Sequence, residues 1–178
     1  MKKLSVILTA ILLTTAYSCN KLKHVKFTVP FTAEMTVPKT DVINTTHTVF
    51  SDTVETNINT IASDNKTSKD LVRSVKFDEV VLVIKEPADQ TFDFVKDFHV
   101  YIWTPGQPEA EVSFKTDMSE NGRELIMDIN DREFKQYFVS DWFQIKATAY
   151  TTKPIVQDIK IDAKIKARFE ADLLEIFK

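Results

Sequence analysis

The chain has 178 residues, with 23 Lys and Arg against 26 Asp and Glu, for a net charge of −3. This slightly acidic balance argues against nucleic acid as a partner, which needs a concentrated basic face. With only 2 glycines and 1 cysteine, the chain cannot build Gly-rich phosphate loops, dinucleotide-binding turns, nucleophile elbows or an internal disulfide.

Residues 1–18 read as a targeting segment. Met1-Lys2-Lys3 is a positive start, Leu4 to Leu13 is an apolar run broken only by Ser5 and Thr9, and Thr14 to Ser18 is a small, polar exit. The apolar run is shorter than the roughly 20 residues a membrane-spanning helix needs, so cleavage is expected. The only cysteine follows directly. Ala16-Tyr17-Ser18-Cys19 resembles a lipobox, the motif at which bacterial lipoprotein signal peptides are acylated and cut. Ser18 supplies the small residue before the cysteine, and Ala16 stands where the commonest pattern has leucine, as in the relaxed lipoboxes of Bacteroidota.

The resemblance implies a diacylglyceryl thioether and an N-acyl chain, palmitate being the usual label, on Cys19. Residues 19–23 then form a short tether and 24–178 a single folded domain. Two or more chains, at about 0.8 kcal/mol per buried CH₂, anchor stably where one binds only marginally. Asn20 is not the aspartate that marks inner-membrane retention, which implies the outer membrane. The basic stretch Lys21 to Lys26 differs from the acidic residues of surface-exported lipoproteins and implies a periplasm-facing position.

Residues 24–61 are threonine-rich and β-branched, and read as strands broken by Pro30 and Pro38, short or at a sheet edge. Ser63 to Leu71 is polar and without alternation, a loop or a helical turn at 68–72. Val80-Val81-Leu82-Val83-Ile84 is a continuous apolar run that predicts a strand buried on both faces. Phe92 to Val95 is an apolar connector. Phe98, Val100 and Ile102 then alternate with His99, Tyr101 and Trp103 up to the Pro105-Gly106 turn. Glu109–Lys115 and Glu124–Ile129 follow as two strands around an Asn121-Gly122 loop.

One helix is predicted after Asn130, with Glu133 completing a capping-box-like pair and Phe134, Tyr137 and Phe138 on one face. In the last strands Phe143, Ile145, Ala147 and Ala149 point one way. Beyond Lys153-Pro154, the odd positions Ile159 to Phe169 are apolar and the even positions Asp158 to Arg168 are charged. Period two over that length predicts a long strand with one buried and one wet face. Roughly eight strands with one short helix and no βα alternation predict a mainly β fold, an antiparallel β-sandwich, with Ig-like and jelly-roll-like topologies both open.

No motif specifies catalysis, a metal or a cofactor. His24, His47 and His99 lack the spacing of helical metal ligands. The run Asp128 to Glu133 fails as a calcium loop, because Arg132 occupies a ligand position and the required glycine is absent. Asp93 and Asp97 are a possible acid and base for glycoside cleavage, but nothing in the sequence sets their separation. Asn44-Thr45-Thr46 and Asn65-Lys66-Thr67 match glycosylation sequons, which a bacterial leader makes incidental.

The aromatic set His99, Tyr101 and Trp103 shares one strand face. Such a face is a flat platform for a glycan or a protein partner, or a second core under a loop or the helix, and the second is the expectation. The domain resembles small β-sandwich lipoproteins of Bacteroidota, a resemblance that carries no site residues. The functional expectation is a lipid-anchored, non-catalytic envelope module that binds or spaces another component. A carbohydrate-binding lipoprotein using the 99–103 face is the alternative, and a hydrolase comes third.

Overall fold

The computed structural model describes residues 24–118 and 122–174. Cys19, the leader, the tether to Lys23 and Asn121 lie outside the described residues. The fold is a mainly β sandwich of two antiparallel sheets. Among the described residues, ten strands run in chain order: β1 His24–Val37, β2 Thr45–Phe50, β3 Val54–Glu55, β4 Val72–Glu86, β5 Val95–Trp103, β6 Ala110–Lys115, β7 Glu124–Ile126, β8 Asp128–Ile129, β9 Trp142–Thr151 and β10 Ile159–Asp172.

One sheet has the order β1-β10-β4-β7. The other has the order β2-β9-β5-β6-β8, with β3 continuing along the same edge of β9 as β2. The sheets touch along one side, where Met35 of β1 bridges Ser51 and the Asp52 N–H donates to Glu34 O at 3.0 Å.

Period-two patterning sets the layers. In β10, Ile159, Ile161, Ala163, Ile165, Ala167 and Phe169 are all buried, while Lys160, Lys164 and Lys166 are exposed. In β9, Phe143, Ile145, Ala147 and Ala149 turn inward in the same way. These faces meet in one hydrophobic core, where Phe138 packs on Phe31, Phe143 and Phe169 at centroid distances of 5.3, 5.2 and 5.5 Å. On the outer face of the four-stranded sheet, charges pair across strands: Lys26 with Glu170, Lys166 with Glu79, and Arg168 with Asp78.

Several elements differ from the sequence expectation. Pro30 does not break β1, which runs through it paired with Lys166 of β10. An edge strand tolerates proline because its missing N–H can face the open side. The apolar run in β4 is not buried on both faces: Val80, Leu82 and Ile84 are core, but Val81 and Val83 are only half-buried. They lie on the outer side, Val81 between Lys164 and the exposed Ile126 and Val83 between Asp162 and Glu124, where a long stem such as that of Lys164 suits the position.

Glu124–Ile129 is not one strand. It switches sheets at the buried Met127, β7 pairing β4 and β8 pairing β6. Helix α1, Ile58–Asp64, falls in a region read as strand and loop. A 3-10 turn, Lys69–Leu71, follows it.

The expected helix after Asn130 is a single turn, α2, Lys135–Phe138, with no side-chain cap. Phe134, Tyr137 and Phe138 are all buried, as their spacing predicts. Asn130 and Glu133 do not form a capping box. The Asn130 Nδ2 donates to Glu111 Oε2 at 2.8 Å. Glu133 Oε1 accepts from the backbone N–H of Val75 at 2.7 Å and of Lys135 at 2.9 Å. The carboxylate thus bridges β4 to the first residue of α2, while Asn130 bonds β6 instead of the helix.

Candidate functional site: an aromatic sheet face

His99, Tyr101 and Trp103 stand on the outer face of the six-stranded sheet, because Phe98, Val100 and Ile102 between them turn into the core. All three are half-buried. β5 is an interior strand, so its neighbours extend the face on both sides. β9 places Lys146 beside Tyr101, Gln144 beside Trp103, Thr148 beside His99 and Tyr150 beside Asp97. From β6, Phe114 lies beside His99 and Glu111 beside Tyr101.

A bulge makes that second pairing possible. Val100 pairs Ser113 and Tyr101 pairs Glu111, so Val112 is an extra residue in β6. Val112 and Ser113 are consecutive and both buried, which regular alternation forbids. The irregularity reverses the parity of the strand and turns Glu111 outward. The Glu111 Oε1 lies 2.6 Å from His99 Nδ1, and an ionised carboxylate accepts only, so the ring nitrogen donates.

The rings support one another within the sheet. His99 lies nearly parallel to Tyr101 and to Phe114, with centroids 6.4 and 6.3 Å away. The Lys146 ammonium sits 4.7 Å above the Tyr101 ring, a cation–π contact, and is held there by Glu109 at 2.6 Å. At the end of the face Trp103 packs on Trp142 with centroids 5.7 Å apart and planes tilted by 57°. The helical turn α2 is elsewhere, in the core. The outer surfaces of the two sheets therefore differ, one a lattice of ion pairs and the other a stripe of aromatic rings.

The stripe ends at two hollows that share Asp141 and Trp142. One, of about 350 Å³, opens between β3, the start of α1 and the start of β9. The other, of about 290 Å³, lies toward Lys69 and Pro105. A broader groove of about 530 Å³ crosses the ends of β1, β4 and β10 beside Phe50. Within it Lys160 pairs with Glu86 at 2.8 Å and Lys85 with Asp162 at 3.6 Å.

Of the carboxylates considered for hydrolysis, Asp93 pairs with Lys153 at 2.6 Å and Asp97 accepts from the Asp117 N–H at 3.1 Å. Among the described residues, no three His, Cys, Asp or Glu side chains come together as a metal site. His24 sits far from His99 in the chain and pairs with Asp172 at the start of β1; His47 Nε2 lies 3.2 Å from Val42 O.

Sequence reading missed Trp142, Lys146, Phe114 and Glu111 as parts of the face. The first two were accessible in principle, since Phe143 and Ile145 inward imply Trp142, Gln144 and Lys146 outward. The adjacency of β9 to β5 and the bulge in β6 were not.

No known protein-family profile matches the chain, and no curated protein matches it. Among solved structures, the crystal structure of Yersinia pseudotuberculosis-derived mitogen aligns at 8% identity over 88% of this chain and 90% of that one, with a TM-score of 0.24. A score that low supports no statement about fold or function.

Proposed function

We propose that the protein is a lipid-anchored envelope protein whose sandwich is a non-catalytic binding module, with the aromatic face around His99, Tyr101 and Trp103 as its contact surface. The anchor rests on the leader and on Cys19, held by its acyl chains in the outer membrane and facing the periplasm. Tyr and Trp are the residues that dominate binding energy in interfaces. Here they are grouped on one sheet face and steadied by their neighbours, which lowers the entropy lost on binding. That grouping is the observation that carries the reading. The non-catalytic part is supported by the carboxylates Asp93 and Asp97, each already committed to a separate partner.

Two measurements test the proposal. Cys19→Ala is expected to move the protein from the membrane to the soluble fraction and to abolish palmitate labelling; unchanged fractionation with no label in the wild type rejects the anchor. A photo-crosslinker replacing Thr148, beside His99, is expected to capture an envelope component in living cells. One replacing Lys164, on the outer face of the other sheet, is not. Equal capture from both positions, or from neither, rejects the contact surface.

A carbohydrate-binding role of the same face is the second reading. The polar hollow beside Trp142 favours it.

A further inference from the structure

We infer that the hollow beside Trp142 is a binding site for a neutral oligosaccharide, an inference that rests on the binding-module reading and names its ligand class. The site is assembled by the turn from β3 into α1. Thr56 is buried, its N–H donates to Asp141 O at 2.9 Å, and its hydroxyl donates to Ser140 O at 2.6 Å. These bonds fasten the start of α1 to the start of β9. Asn57 then turns the chain through a left-handed conformation, φ 49°. The result is a hollow of about 350 Å³ lined on one side by Trp142, whose ring packs on Trp103.

Apart from Ile58, the other lining residues are polar. Glu55, Asn57, Asn59, Thr60 and Asp141 line the hollow and are exposed. Among the described residues, none of their side chains is engaged in a hydrogen bond or ion pair with the protein.

The lining selects its ligand by elimination. Glu55 and Asp141 bring two negative charges and no lysine, arginine or histidine lines this hollow; with Lys69 of the adjoining hollow the balance stays negative, so phosphates and other anions are disfavoured. An apolar molecule would strip water from carboxylates and amides without replacing their hydrogen bonds. A simple cation satisfies the carboxylates and the amide and hydroxyl oxygens, but it leaves the Asn57 and Asn59 amide N–H groups to water and the Trp142 ring uncovered.

A pyranose ring answers every requirement. Its C–H face lies on the indole, and its hydroxyls donate to carboxylates and accept from amides. The second hollow shares Asp141 and Trp142 and adds Ser140 and Lys69. The site therefore continues past one ring, and the ligand is an oligosaccharide.

The chain contains 2 tryptophans; Trp142 lines the hollow and Trp103 packs on it, so intrinsic tryptophan fluorescence reports on this end of the aromatic face. The experiment titrates the full chain, held in a detergent without sugar groups, with cellohexaose, maltohexaose and chitohexaose, following tryptophan emission and heat. At least one hexasaccharide is expected to shift the emission and bind. The double substitution Glu55→Gln with Asn59→Ala, at exposed positions clear of the core, is expected to weaken that binding by about tenfold or more, the effect of losing hydrogen bonds to a charged and a neutral group. Trp142→Ala is expected to abolish it, and the double variant keeps the test valid if that protein does not fold.

Inorganic phosphate is expected to give no response. No response to any hexasaccharide overturns the inference, as does binding that the double variant leaves unchanged. A response to a lysine decapeptide in place of the sugars also overturns it, in favour of a cationic ligand. If crosslinking from position 148 persists while the titrations fail, only the saccharide inference falls. If both fail, the binding-module reading falls with it.

Discussion

Glu111 reaches His99, with Oε1 and Nδ1 2.6 Å apart, only because Val112 is an extra residue in the strand between Ser113 and Glu111. The same carboxylate accepts from Asn130 Nδ2 through its other oxygen at 2.8 Å. One bulged residue thus ties β5, β6 and the turn after β8 together on the outer face. Bulges re-aim side chains in this way at positions where regular pairing would hide them.

Glu111→Ala is expected to destabilise the domain by about 1–3 kcal/mol, the range for hydrogen bonds involving a charged group. Because Asn130 shares the carboxylate, Glu111→Ala and Asn130→Ala should not add. A double-mutant cycle in urea is expected to show coupling of about 0.5 kcal/mol or more. Strict additivity would show that the network contributes nothing beyond its separate parts.

Trp103 is half-buried against Trp142, neither sealed in a core nor free. Trp103→Ala is expected to cost about 1–3 kcal/mol, less than the roughly 3–5 kcal/mol of a fully buried aromatic truncation. A thermal melt of the single variant checks this. A loss at the upper end of the core range would mean that the ring works as core and that little of it is left for a partner.

In β10, Ile165 faces the core and Lys164 faces water. Ile165→Ala is expected to cost about 2–5 kcal/mol, and Lys164→Ala to stay within about 0.5 kcal/mol. Comparable losses in denaturant titrations would reject the register of the longest strand pair in the four-stranded sheet.

Glu133 supplies a pH dependence. Burial opposes its charge, but hydrogen bonds from Ser74 and from the backbone of Val75, Lys135 and Phe134 outweigh that and hold its carboxyl below the usual value. A depressed carboxyl stabilises the fold above its unfolded pKa and loses that contribution as pH falls through the folded value. Glu133→Gln is therefore expected to be less stable than the wild type at about pH 6. The gap should narrow by about pH 3, below the ordinary glutamate range. Urea midpoints at the two pH values measure it, and a gap that widens on acidification would contradict the sign.

The alternation in β5, β9 and β10 was legible in the residues, because period two places every second side chain on one face whatever the partners are. The β class, the inward sets Phe98 to Ile102, Phe143 to Ala149 and Ile159 to Phe169, and the common side of His99, Tyr101 and Trp103 follow from that local rule alone. So does the shared burial of Phe134, Tyr137 and Phe138, because large apolar residues at i, i+3 and i+4 fall on one side of a helical turn.

Tertiary contacts decided the rest. Which strand lies beside β5 depends on long-range pairing, so the meeting of Trp103 with Trp142 and of Tyr101 with Lys146 has no trace in local pattern. Val81 and Val83 read as buried because an apolar run does not reveal whether a second layer exists to cover it; here Lys164 and the exposed Ile126 stand beside the first, and Asp162 and Glu124 beside the second. Asn130 and Glu133 have cap chemistry in the right order, yet Asn130 is taken by Glu111 on β6 and Glu133 divides its carboxylate between Ser74 and Val75 on β4 and the N–H of Lys135 in α2, so the reciprocal bonds of a capping box do not form. The bulge at Val112 is the sharpest case: one residue reverses the parity of a strand and decides which side chains form the candidate site, a geometric effect that composition and periodicity do not encode.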